Sequence, residues 1–173
     1  MSAPGPERVD VDVLAEEGAG LERRYPIERF ARLADILSGK QGEATVRFGF
    51  SRIGDGIPAC EMDVEAALMM TCQRCLEPFE QPVHSATKLA FVVSEEEAGR
   101  VPEGFEAIPA PDARVDLSEL VEDELLLSLP VVALHGEGTR CAGSARQAGY
   151  DDREDPPAET HRPFAQLQDL LKH

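Results

Sequence analysis

The stretch EATVRFGFSRIGDGIPACEMDVEAALMMTCQRCLEPFEQPVHSATKLAFVV, residues 43–93, decides the fold. Ala44, Val46, Phe48 and Phe50 alternate with Glu43, Thr45, Arg47 and Gly49, the period-two pattern of a half-buried strand. Gly54 and Gly56 punctuate a turn. Met62, Val64, Ala66, Leu68 and Met70 then share one face and Asp63 and Glu65 the other, and the same parity carries Cys72 to the buried side at the strand end. After a turn at CQRCLEPF, the residues Val83, Leu89, Phe91 and Val93 resume one parity, with His84 on the polar side. Strand, turn, strand, repeated without intervening helices, predicts an α+β fold with an antiparallel sheet or an open β-barrel-like core.

Outward from this centre, Val9, Val11 and Val13 alternate as a weak strand, and residues 26–37 read as a helix with Ile27, Phe30, Leu33, Ala34 and Leu37 on one face. Residues 94–115 read as an acidic loop with a short extended piece at 105–108. DLSELVEDELLLSLP (116–130) is the strongest helix, capped by Asp116 with Glu119 three positions on and ended by Pro130. Its apolar face is expected to hold Leu117, Leu120, Val121, Leu125 and Leu127. Glu124 falls inside that face, as a buried or half-buried charge paired with an arginine such as Arg74 or Arg47. The expected organisation is one α+β domain over 1–135 with a loose terminus at 1–7 and two or three helices. A loosely ordered acidic, Gly/Pro-rich segment follows at 136–162, and a short terminal helix at 163–173.

The chain carries 33 acidic and 17 basic residues, a net charge of −16. Residues 94–124 alone hold eleven acids and two bases. Such a surface repels a phosphate backbone and suits a basic protein. With seven Phe, two Tyr and no Trp there is little to stack bases on. Ser128 and Pro130 break the longest apolar run, and no signal peptide opens the chain, so a cytoplasmic protein without membrane contact is expected. Four cysteines in a reducing compartment argue against a disulfide framework.

Cys72-Gln73-Arg74-Cys75 places two thiolates where both reach one tetrahedral zinc. His135 and Cys141 are the candidate further ligands, with Cys60 a poorer fourth. Reduced structural cysteines are the competing reading, favoured over zinc, and thiol redox chemistry is the weakest because no helix follows the pair. No P-loop, G-x-G-x-x-G, G-x-S-x-G or H-E-x-x-H is present, and no enzyme or small-molecule substrate is expected.

TCQRCLEPF (71–79), DLSELVEDELLLSLPVVALH (116–135) with Cys141, and RPFAQLQDLLK (162–172) occur in an order and spacing that resemble the bacterial YceD family, the large ribosomal RNA subunit accumulation proteins. The positions that match are Cys72, Cys75, Glu122, Asp123, Glu124, Leu125 and Pro130. The resemblance implies a non-enzymatic cytosolic factor supporting synthesis, processing or stability of 23S ribosomal RNA, with no catalytic residues to carry over. Joined to the charge, it leads to an adaptor whose acidic surface, with Glu95, Glu96, Glu97, Glu122 and Asp123, engages a basic ribosomal or rRNA-processing protein and pre-rRNA only indirectly. The alternatives are a direct RNA binder using Arg23, Arg24, Arg29 and Arg32 with Arg47, Arg52 and Arg74, or a small zinc-binding protein.

Overall fold

The period-two stretches pair as an antiparallel meander in the computed structural model, which describes residues 8–136 and Cys141. Strands β1 (Arg8–Asp10), β2 (Gly20–Pro26), β3 (Glu43–Ile53), β4 (Ile57–Thr71), β5 (Pro78–Val92), β6 (Glu106–Pro109) and β7 (Arg114–Asp116) are joined by helices α1 (Val11–Glu17), α2 (Ala31–Ala34), α3 (Glu95–Ala98) and α4 (Leu117–Leu127). The main sheet has the order β2-β3-β4-β5-β6, and β1 pairs with β7 in a separate ribbon. Neighbours in the main sheet are antiparallel except β5 and β6, which are parallel. The result is an open α+β sheet and not a closed barrel.

Register follows the hydrophobic parity. Val46 faces Val64, Phe48 faces Met62 and Phe50 faces Cys60 across β3 and β4, and Cys60 faces Leu89 across β4 and β5. A slip of one residue would turn all of them to water. That face packs against Leu117, Val121 and Leu125 of α4 and against Ile27, Phe30 and Leu33, forming one continuous core. The opposite face carries cross-strand charge pairs, Arg47 with Asp63 at 2.8 Å and Lys88 with Glu61 at 2.7 Å. Among the described residues only its far end is covered: Ile57, Ala90 and Val92 form a second cluster with Ala98, Val101 and Phe105 from the β5–β6 crossover. Residues 89–92 are therefore buried on both faces, which is why LAFV reads as an unbroken apolar run.

The structure corrects several local expectations. Val9 belongs to β1, but Val11 opens a helix: Asp10 accepts the Val13 N–H at 3.2 Å, and Gly18, in the left-handed region, closes α1. Val11 and Ala15 are buried one turn apart while Val13 is exposed. The predicted helix over 26–37 shrinks to a 3₁₀ turn (Ile27–Arg29) and the single turn α2. Ile27, Phe30, Leu33 and Ala34 are still the buried residues. Residues 20–26 instead form edge strand β2, unread in the sequence because GLERRYP buries only Tyr25 fully and fills the edge with charge. The extended piece expected at 105–108 is strand β6, but the acidic loop around it also holds α3 and leads into β7. Val93 and Leu127 are exposed, one past the end of β5 and the other on the outer side of α4.

No helix among the described residues is long and apolar enough to cross a membrane. The expected terminus at 1–7 and terminal helix at 163–173 lie outside the described residues, as does the segment 136–162 apart from Gly136 and Cys141.

Candidate functional site

The turn between β4 and β5 is a tight knuckle. Cys72 donates its N–H to the Glu77 carbonyl at 2.9 Å and accepts the Leu76 N–H at 2.8 Å. Leu76 closes the turn with φ of 63°, a left-handed conformation costly for a branched side chain. Gln73 donates its N–H to the Ala133 carbonyl at 2.9 Å, drawing the chain that leaves α4 across the knuckle. Pro130 prevents that chain from continuing as helix. His135 arrives with its ring 5.0 Å from that of Phe79 at the start of β5.

Four ligand-type side chains converge there: Cys72, Cys75, His135 and Cys141 present atoms within 4.8 Å of one another. Cys72 Sγ lies 3.9 Å from Cys141 Sγ. His135 Nδ1 lies 3.5 Å from Cys75 Sγ and 3.4 Å from Cys141 Sγ. Cys72 and Cys141 are buried and the other two half-buried. The four cysteines are reduced, and Cys60 lies apart, near the other end of β4.

Burial pushes the Cys72 thiol up, but hydrogen bonds to its sulfur from the backbone N–H groups of Cys75, His135 and Arg74 outweigh it and hold the group at about 5. Burial pushes Cys141 up, reinforced by the neighbouring sulfurs of Cys72 and Cys75. Cys60 is pushed up to about 12 by burial in the core. Three sulfurs and an imidazole nitrogen make a soft, compact donor set of the kind that holds a thiophilic divalent cation.

The acidic residues take different roles from those expected. Glu122, predicted on the partner-facing surface, is the buried carboxylate of the helix. One oxygen accepts the N–H groups of Arg32 and Leu33 at 2.7 and 3.1 Å, and the other meets the Arg32 guanidinium at 3.0 Å. It ties α4 to the start of α2 and is not available to a partner. Glu124 is half-buried, within the expectation, but its partner is the Ser85 hydroxyl, not Arg74 or Arg47. The actual contact face of α4 is rotated, with Leu117, Val121, Glu122 and Leu125 inward. Asp123 is exposed and holds the far side of the Arg32 guanidinium at 2.7 Å. Glu95 and Glu96 are exposed on α3, whereas Glu97 turns back to accept the Val93 N–H at 2.8 Å.

Several of the arginines among the described residues are held by carboxylates of the same chain. Arg47 bridges Asp63 and Glu65, Arg52 reaches Asp12, and Arg24 lies 3.9 Å from Glu43. Arg23 and Arg24 are on β2, not in a helix, and Arg29 lies over the Tyr25 ring. Arg74 is exposed in the knuckle. A second group, Asp63, Glu65 and His84, gathers on the open sheet face, where Arg47 already bonds both carboxylates.

The family model described as "Large ribosomal RNA subunit accumulation protein YceD" matches residues 60–171. The large ribosomal RNA subunit accumulation protein YceD of Haemophilus influenzae is 29% identical over 147 residues, covering 84% of this chain and 84% of its own. No solved structure matches.

Proposed function

The chain belongs to the YceD family of large ribosomal RNA subunit accumulation proteins, and from that premise we propose that it supports the synthesis, processing or stability of 23S ribosomal RNA in the cytoplasm. It acts as a non-enzymatic adaptor whose acidic surface engages a basic ribosomal or rRNA-processing protein. The observation that carries this reading is the fate of the charges. Arg24, Arg32, Arg47 and Arg52 are each engaged by carboxylates of the same chain, while Glu95 and Glu96 point to solvent from α3. A net charge of −16 with these four arginines internally matched disfavours phosphate contacts and favours a cationic protein surface.

The test is complementation of a strain lacking the chain, read as the ratio of 23S to 16S ribosomal RNA. The native chain restores the ratio, and a Glu95→Gln, Glu96→Gln variant restores it poorly. An Arg23→Ala, Arg24→Ala, Arg29→Ala variant behaves as native. If the arginine variant fails and the glutamate variant succeeds, direct RNA binding replaces the adaptor. Association with large-subunit precursors should also weaken steeply between low and physiological salt, and salt-insensitive association counts against the acidic surface.

A further inference from the structure

We propose that Cys72, Cys75, His135 and Cys141 form a closed, structural zinc site that clamps the chain following α4 onto the tip of the β4–β5 hairpin. Tetrahedral zinc, bonded at about 2.3 Å to sulfur and about 2.0 Å to nitrogen, sets sulfur–sulfur separations of ~3.8 Å and sulfur–nitrogen separations of ~3.5 Å. Three of the six pairs here stand at 3.9 Å for Cys72–Cys141, 3.5 Å for Cys75–His135 and 3.4 Å for Cys141–His135, and all lie within 4.8 Å. A disulfide would need its sulfurs at about 2.05 Å, so the cysteines are spaced around a common centre and not paired with each other.

One further observation favours a metal over simple packing. Among the described residues, Cys72, Ala133 and Cys141 are buried yet belong to neither hydrophobic cluster. Four protein ligands leave no position for water or substrate, which makes the site structural and not catalytic. Sulfur-rich donors select zinc over magnesium, calcium or manganese. The Nδ1 of His135 is the ligating atom, so its Nε2 carries the proton.

The experiment uses the full chain, purified without chelator. Elemental analysis should find about one zinc per chain. Replacement by cobalt should give the visible bands of a tetrahedral ion with an intense sulfur-to-metal band in the near ultraviolet. Cys75→Ser and Cys141→Ser should each weaken zinc binding more than about 100-fold, beyond the loss expected of an outer-sphere partner. His135→Cys should keep the metal with a shifted cobalt spectrum, and Cys60→Ala should leave zinc binding unchanged. Because the serine variants can lose their fold, chelation of the native chain serves as a second measure. It should expose the Gln73 amide to hydrogen exchange, and zinc should restore its protection. A folded, metal-free native chain whose melting temperature ignores zinc would overturn the site, as would a Cys141→Ser variant that binds zinc as tightly as native.

Discussion

Glu122 shows how one carboxylate serves a packing role that its neighbours in an acidic run do not. It accepts two backbone N–H groups of the α2 turn as well as the Arg32 guanidinium. The guanidinium is 55% exposed, so water screens the ion pair, and the larger loss on mutation comes from the two N–H groups. Glu122→Ala should therefore cost about 2 kcal/mol in urea unfolding, whereas Asp123→Asn, on the exposed side, should cost less than about 1 kcal/mol. Cys60 supplies a pH signature. Its thiol titrates near 9 when unfolded and about 12 in the folded chain. Below pH 9 both states keep the proton and the stability is fully present. Between about 9 and about 12 only the unfolded chain gives it up, so stability falls as pH rises through that window. In paired alkaline unfolding titrations, the advantage of native over Cys60→Ala should shrink across this range. A constant difference would contradict the burial-driven shift.

At the scale of the element, α4 and the β4–β5 hairpin carry most of the architecture. The inward face of α4 packs Leu117, Val121 and Leu125 against the sheet, while Leu127 is 77% exposed. Leu125→Ala should destabilise by about 2–5 kcal/mol and Leu127→Ala by no more than about 0.5 kcal/mol, a contrast that an equal effect would refute. The helix begins at Asp116, whose carboxylate accepts the Ser118 N–H at 2.9 Å, while Glu119 is exposed. In the hairpin, Leu76 holds a left-handed backbone with its side chain 75% exposed. Leu76→Gly relieves a strain of about 1–2 kcal/mol and adds less than about 1 kcal/mol of unfolded-state entropy. The variant should melt higher than native, and a lower melting point would show that the side chain packs usefully.

For the whole molecule, excess negative charge and a single sheet-centred core set the terms of stability. A chain at −16 repels itself when folded, and the acidic surface that suits a basic partner is the source of that repulsion. Raising monovalent salt from about 10 mM to about 300 mM shortens the Debye length from ~30 Å to ~6 Å and should raise the melting temperature of the isolated chain. The same salt should weaken its association with a basic partner. If both moved in the same direction, the charge would not be acting as argued.

The parity of residues 43–93 determined the meander, its buried face and the placement of Cys72, because period two admits only one way to bury Val46, Met62, Val64 and Leu68 together. The family and the identities of the four candidate ligands were legible in the wider sequence, since thiols and an imidazole are recognisable wherever they fall. Tertiary structure alone decided which carboxylate went inside. Glu122 and Glu124 sit on nearly opposite sides of one helix, and only the N–H groups presented by the α2 turn made Glu122 the cheaper one to bury. It also decided the two edges. Residues 20–26 became a strand because β3 had an unpaired edge to offer, and Val11 joined a helix because Asp10 and Gly18 capped it within contact of the core. The convergence of Cys75, His135 and Cys141 likewise depended on the Gln73–Ala133 hydrogen bond that folds the chain beyond α4 across the knuckle. Distances between residues so far apart in the chain are set by how the elements pack, and no local pattern encodes them.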